Sequence, residues 1–299
     1  MVEIDLGFAP NLEHIFECGQ CFRWNVQTDG SYIGVAGGEA VRARVCGSKL
    51  ILEGTDNTEF WSNYFDAAFD YEGAKTKFSK DKILKKCIQY GYGIRILRQD
   101  LFETIISFII SANNNIPRIK KIIESLCRIC GDKIEFEGQE YYTFPKAEAI
   151  VNAGLEKLST IHAGYRDKYI LGAAQFCLNS AHFDVFPPLR VHDTRRSVQT
   201  PNCDQIQTKL NDLPTNEARR ELLKIIGVGP KVADCVLLFG MSRFDVFPSD
   251  VWIKRILDEA YNVPPKEICE FAENKFGKYR GLAQQYLFYY YRDNMKKLA

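Results

Sequence analysis

The chain has no excess of either charge sign. Its 299 residues carry 39 Lys and Arg against 38 Asp and Glu, a formal net charge of +1. A polyanionic partner would therefore have to be met by a local basic patch, not by the field of the whole molecule. Long apolar runs are missing too. The richest stretch, Thr104 to Ala112, is broken by Ser107 and Ser111 and falls far short of the roughly 20 residues that span a bilayer. The beginning, Met1-Val2-Glu3-Ile4-Asp5, lacks the basic and apolar regions of a secretory signal, and no low-complexity tract is found. The expectation is an intracellular chain. Its ten cysteines then read as free thiols in a reducing compartment, packed as small hydrophobes. What is there is an ordinary globular composition, 46% apolar and 13% aromatic, enough to bury a sizeable core.

The first seventy residues read as strands and turns. Phe22-Arg23-Trp24-Asn25-Val26, then Asp29-Gly30, then Tyr32-Ile33-Gly34-Val35 is a hairpin signal, because Asp-Gly supplies the positive φ angles of a tight turn. Val41-Arg42-Ala43-Arg44-Val45 alternates with period two between Gly37-Gly38 and Gly47-Ser48, which predicts an antiparallel sheet with one wet face. From about residue 70 the period becomes helical. Asp100-Leu101-Phe102-Glu103 opens a helix with a cap and an acidic third residue, and that helix ends at Asn113-Asn114-Asn115. A second begins at Pro117, with Ile119, Ile122, Ile123, Leu126, Cys127 and Cys130 on one stripe. Further helices are expected at 215–226, 230–240, 265–276 and 279–297. The fold class is α+β: an N-terminal domain over 1–100, sheet first and helical from about 70, then an all-helical domain over 101–299. Asn179 to Gln205 has no clear period and reads as an insertion or long loop.

Chemistry concentrates in one stretch. Leu222-Leu223-Lys224-Ile225-Ile226-Gly227-Val228-Gly229-Pro230-Lys231-Val232-Ala233 is a helix, a glycine turn and a second helix, a helix-hairpin-helix over about 216–240. Gly227 and Gly229 permit unusual backbone angles and close approach, and Pro230 suits a first helical position. The free N–H groups and positive dipole end at that helix start form a site for a phosphate oxygen, and bind DNA backbone without reading sequence. Lys231 sits in the first turn, where the dipole opposes a positive charge; only a neutral amine can attack carbon. Cys235 and Phe239 follow on the same face. Asp250 comes nineteen residues after Lys231, just before a helical stretch. Taken alone, Asp250 is a helix cap and Lys231 a solvated surface lysine.

Gly227 to Cys235 together with Pro248-Ser249-Asp250 resembles the signature of the helix-hairpin-helix DNA glycosylases, specifically the 8-oxoguanine DNA glycosylases. Four further stretches resemble that family in matching order: Cys18-Gly19-Gln20-Cys21-Phe22-Arg23-Trp24, Ser107 to Ile119, Gly164-Tyr165-Arg166 and Ala283-Gln284-Gln285-Tyr286-Leu287-Phe288. The resemblance implies a bifunctional enzyme of base-excision repair that removes 8-oxoguanine from duplex DNA and cleaves the abasic site. It implies that Lys231 attacks C1′ of a flipped-out nucleotide and forms a Schiff base, leading to β-elimination. Asp250 is implied to stabilise the cationic sugar while still capping its helix.

For the base, the resemblance places the Gly19 carbonyl on N7–H of the lesion, where guanine offers a repelling lone pair. Gln284 is assigned to the Watson–Crick edge, Phe288 to one face of the base and Cys235 to the other; without the resemblance, Gly19 is a strand-end glycine and Phe288 a core residue. Asn113 is implied to fill the hole left by flipping, Tyr165 to wedge beside it, and Arg118 and Arg166 to hydrogen-bond the estranged cytosine, which predicts a preference for lesions opposite cytosine. Three departures stand out, one being that Cys18 and Cys21 flank Gly19. Trp252 occupies a position where the family commonly has a histidine near a phosphate, and the 179–205 segment is longer than expected. Its His182, His192, Arg190, Arg195 and Arg196 are best read as a solvated loop.

Cys18-x-x-Cys21 and Cys127-x-x-Cys130 could in principle make a zinc site, but Cys127 and Cys130 lie on the apolar stripe of their helix. An iron–sulfur cluster of the kind some relatives carry after the catalytic aspartate needs four cysteines there, and only Cys269 is present. No metal is assigned, no cofactor is required, and the hairpin carbonyls leave room for a structural cation. The expected partner is lesion-bearing double-stranded DNA, with no membrane, acted on by a monomer. A non-catalytic DNA clamp would not require the Lys231 and Asp250 pair, and an enzyme for alkylated bases would not require Gly19 and Gln284.

Overall fold

The computed structural model describes residues 1–180 and 204–295. It begins with a five-stranded antiparallel sheet in the order β1-β5-β4-β3-β2, built from β1 (Val2–Asp5), β2 (Trp24–Val26), β3 (Tyr32–Ala36), β4 (Glu39–Cys46) and β5 (Lys49–Glu53). Two short helices, α1 (Leu12–Phe16) and α2 (Thr58–Tyr64), lie among the strands, so helix appears earlier than residue 70. One sheet face carries Tyr32, Val41, Ala43, Leu50 and Leu52 into a core shared with Phe16, Trp24 and Trp61. Each such buried large side chain contributes roughly 1.5–3 kcal/mol. Gly34 is needed there: a Cβ on it would fall 2.3 Å from the Trp24 ring.

The opposite face is not uniformly wet, which corrects the alternation reading. Ile33 and Val35 are buried there as well. A hairpin of β6 (Lys133–Phe136) and β7 (Gln139–Tyr142) packs against β4 and is held by an Arg42–Glu137 ion pair. Arg23 ties three elements together: it donates to the carbonyls of Tyr142 and Val35 and lies 3.8 Å from the Glu103 carboxylate. Burial pushes the Glu103 carboxyl up to about 7 despite that cation. This hairpin is a strand pair that the helical periodicity of residues 101–299 did not announce.

The remaining elements are helices: α3 (Tyr71–Phe78), α4 (Lys82–Tyr90), α5 (Leu101–Ser111), α6 (Ile116–Cys130), α7 (Ala147–Ser159, interrupted at Gly154), α8 (Arg166–Ser180), α9 (Asp204–Asp212), α10 (Thr215–Leu222), α11 (Pro230–Met241), α12 (Val251–Tyr261), α13 (Ile268–Phe276) and α14 (Arg280–Met295). Asp100 caps α5, its side chain accepting from the Glu103 amide at 2.7 Å. Residues 104–110 are all buried, because α5 packs between α8 and α11. Cys127 lies in the same core. Tyr71, Phe78, Leu84 and Ile94, which precede residue 100, also pack into this helical core and not into the sheet core. α14 lies against α4 and α12 and so returns the end of the chain to its beginning.

Two helices are shorter than the spacing suggested. α10 stops at Leu222, where Lys224, Ile225 and Val228 turn to bond the carbonyls of Glu221, Leu222 and Ile225; that tight turn leads into Gly227. The stretch from Pro265 opens as a 3-10 turn before α13. Most of the 179–205 segment, with its two histidines and three arginines, lies outside the described residues, as does Lys297.

Candidate active site

The segment Glu17–Gln20 is held on every side. Gln285 of α14 donates to the Cys18 carbonyl, and Arg292 donates to the Glu17 carbonyl at 2.6 Å. The Gln20 amide is fully buried, donating to the carbonyls of Ile15 and Arg95 at 2.8 and 2.7 Å and accepting from the Leu97 amide at 2.8 Å. Gln99 donates to the Gln20 carbonyl at 2.8 Å. Gly19, at φ +84°, turns the chain in the middle of these anchors. A left-handed residue between fixed carbonyls is a rigid way to aim one peptide group.

Gly19 lines a cleft of about 510 Å³ together with Phe108, Lys231, Asp250, Trp252, Phe288 and Arg292. Lys231 reaches it from the first turn of α11, with its Nζ 5.1 Å from the centre of the Phe108 ring. The Cys235 thiol lies against the lysine, one turn further on, and burial pushes it up to about 11, so it stays a neutral thiol near neutral pH. Asp250 is the N-cap of α12, its Oδ1 accepting from the Ile253 amide at 2.8 Å. That bond fixes the carboxylate at the cleft wall, so the capping and site roles coincide in one residue.

A narrower slot continues inward between Gly19, Cys235, Gln284 and Phe288, with only about 40 Å³ of space. The Phe288 ring walls it close against Gly19, where a Cβ would lie 3.1 Å from that ring. Gln284 is buried, and its Oε1 has no hydrogen-bond partner. A buried unpaired amide oxygen costs about 1–3 kcal/mol, and a ligand N–H entering the slot would satisfy it.

A family model described as the 8-oxoguanine DNA glycosylase N-terminal domain matches residues 8–105, and that of the HhH-GPD superfamily base excision DNA repair proteins matches residues 106–279. The chain belongs to this glycosylase family. A probable N-glycosylase/DNA lyase of Methanothermobacter thermautotrophicus is 32% identical over 228 residues, covering 75% of this chain and 71% of that protein. Among solved structures, the Clostridium acetobutylicum 8-oxoguanine glycosylase/lyase in complex with double-stranded DNA containing cytosine opposite 8-oxoG is 38% identical, with a TM-score of 0.84 over 96% of this chain and 93% of that one. A structure of MBOgg1 with a low-affinity DNA ligand is 45% identical, with a TM-score of 0.85 over 97% and 94% of the two chains.

Four further residues singled out in the sequence, Asn113, Arg118, Tyr165 and Arg166, are not among those that line the cleft, although Asn114, Asn115 and Pro117 are. Asn113 is exposed and left-handed at φ +50°, a conformation asparagine tolerates. Tyr165 is 53% exposed, with its ring edge-on to Tyr169. Arg118 is exposed and donates to the His162 carbonyl at 3.3 Å. Arg166 departs from the expectation. It is buried, and its guanidinium donates to the carbonyls of Ala112, Asn113 and Ala163. The end of α5 leaves carbonyls without helical partners, and Arg166 takes them up; in this structure it shapes the loop that aims Asn113 and does not face outward.

The hairpin glycines also divide their roles. Gly227 has φ +87°, and a Cβ there would meet Tyr169 at 2.7 Å, whereas Gly229 is extended at φ −90° with nothing within 4 Å of its Cβ position. Only the first needs glycine for the turn; the second keeps the helix start bare. Sequence reasoning missed Gln20, Arg95, Gln99, Gln285 and Arg292. Gln20 and Gln285 lay inside quoted motifs without a role, and Arg95, Gln99 and Arg292 carried no local signal.

Proposed function

We propose that this glycosylase excises 8-oxoguanine from duplex DNA through Lys231 and then cleaves the strand. What carries the reading is that the Lys231 amine and the Asp250 carboxylate wall one cleft whose inner slot is lined by Gly19, Cys235, Gln284 and Phe288. The amine lone pair attacks C1′, the N-glycosidic bond breaks, and its electron pair leaves with the base. The nitrogen loses its proton and the sugar ring opens to an imine. Loss of a C2′ proton then expels the 3′ phosphate, and water frees the lysine. Asp250 opposes the positive charge that grows on the sugar. The chemistry draws on protein groups and needs no redox or nucleotide cofactor.

Selection rests on the Gly19 carbonyl, which accepts from N7–H of the lesion and repels the lone pair of guanine, while Gln284 meets the Watson–Crick edge. Phe288 and Cys235 take the two faces. Asn113 and Tyr165 occupy the gap in the duplex, and the helix start after Gly227 and Gly229 grips the phosphates. Arg118 provides donors for the O2 and N3 acceptors of an estranged cytosine, joined by Arg166 when the loop opens, which favours lesions opposite cytosine. The test is borohydride trapping on a duplex with one 8-oxoguanine opposite cytosine. A covalent adduct is expected with the natural chain and not with Lys231→Gln or undamaged duplex; an adduct formed equally by Lys231→Gln overturns the assignment.

A further inference from the structure

The chain has three tryptophans, and two of them, Trp24 and Trp61, are 1% and 0% exposed in the sheet core. Trp252 is 48% exposed. It makes no ring-on-ring contact among the described residues, although it stands in the first turn of α12, two residues after Asp250. Helical side chains lean toward the helix N-terminus, which carries this indole over the Asp250 end of α12. There it walls the same cleft as Lys231, Asp250 and Phe288. The inner slot lies deeper and does not include Trp252, so a base seated there leaves Trp252 beside the sugar, not the base.

We propose that Trp252 is a substrate-binding residue whose indole packs on the apolar face of the deoxyribose of the extruded nucleotide, holding C1′ within reach of Lys231. This rests on the reading of the cleft given above. The contact is made without a charge, so it releases no counterion, unlike the phosphate grip at the hairpin. It also requires the sugar and not the base. A duplex with a tetrahydrofuran abasic analogue should therefore engage Trp252 as fully as one with the lesion.

Acrylamide quenching reads this directly, because Trp252 is the one tryptophan open to solvent among the three. In the free protein the emission should be quenched. Both the lesion duplex, bound to the Lys231→Gln variant, and the tetrahydrofuran duplex, bound to the natural chain, should protect it; undamaged duplex should not. Trp252→Ala should bind the tetrahydrofuran duplex about tenfold more weakly, the equivalent of about 1.4 kcal/mol, with an unchanged slope of log affinity against log salt. Trp252→Phe should recover most of the loss. Continued quenching in the tetrahydrofuran complex overturns the proposal, as does unaltered affinity of Trp252→Ala or a loss confined to its salt slope. A natural chain that leaves 8-oxoguanine in place defeats the functional reading itself; excision with Trp252 still open to acrylamide defeats only this inference.

Discussion

Arg292, in the last turn of α14, donates to the main-chain carbonyl of Glu17 at 2.6 Å, and about two turns upstream Gln285 donates to the carbonyl of Cys18. The peptide that presents Gly19 to the slot is therefore positioned from a helix that lies more than 260 residues away along the chain. On the proposed reading, selectivity depends on that bracing, because a carbonyl contrast between N7–H and a lone pair works only at hydrogen-bond distance.

Replacing Gln285 by Leu keeps the volume and removes the donor. The Cys18 carbonyl is then left buried without its partner, at about 1–3 kcal/mol. Preference for 8-oxoguanine over guanine should fall about tenfold or more, while cleavage at a preformed abasic site changes little. Competition assays with the two duplexes, alongside a lyase assay, check this; equal losses in both would mean that the bond merely stabilises the fold.

Asp250 is both cap and site residue, and two substitutions separate the roles. Asparagine caps a helix as well as aspartate does, so Asp250→Asn should melt close to the natural chain, whereas Asp250→Ala should lose about 1 kcal/mol. Both should excise the base far more slowly, since neither carries the negative charge. Thermal unfolding and single-turnover excision, run together, would contradict the dual role if Asp250→Asn kept full activity.

The two hairpin glycines should respond differently to alanine. Gly227→Ala forces a left-handed alanine, costing roughly 1–2 kcal/mol, and drives its methyl into Tyr169, so both stability and binding should drop. Gly229→Ala has a permitted φ and open space; it should leave the melting temperature in place and weaken binding to undamaged duplex, by placing a methyl at the proposed phosphate site. A large loss of stability in Gly229→Ala would refute this division.

Glu103 adds a pH dependence to stability. Its carboxyl is raised by burial to about 7 from an ordinary 4.5, so the folded chain binds this proton more tightly than the unfolded one. The charged form burdens the fold fully above pH 7. That burden shrinks as pH falls and is gone below pH 4.5. Glu103→Gln is neutral throughout, so the melting temperature of the variant minus that of the natural chain should be more positive at pH 8 than at pH 5. A difference that does not vary with pH would refute the assignment.

The sheet and most long helices were legible because their periods repeat: Val41 to Val45 alternates, and α5 and α6 each carry a sustained stripe. The β6–β7 hairpin escaped because its turn uses Glu137 at φ +50° before Gly138 at +71°, and glutamate gives no sign of a left-handed residue. α1 and α2, at five and seven residues, are too short to show a period. Within the site, Lys231, Asp250, Gly19, Gln284 and Phe288 came from ordered motifs, and the structure brings them to one cleft. Arg292 could not be found that way, and the motif that contains Gln20 did not show its role, since each is tied to main-chain groups distant in sequence that only the folded path makes neighbours. Arg166 shows the converse: the motif located it, but the carbonyls after α5 decide where its guanidinium points.

The return of α14 to the opening segment has a consequence for synthesis. Residues 216–240 precede α14 in the chain, so the Glu17 and Cys18 carbonyls meet their donors Arg292 and Gln285 only after the hairpin has been made. The Gly19 loop is thus braced by one of the later-made elements. Removing the last turn of α14, and Arg292 with it, takes one of those two braces away.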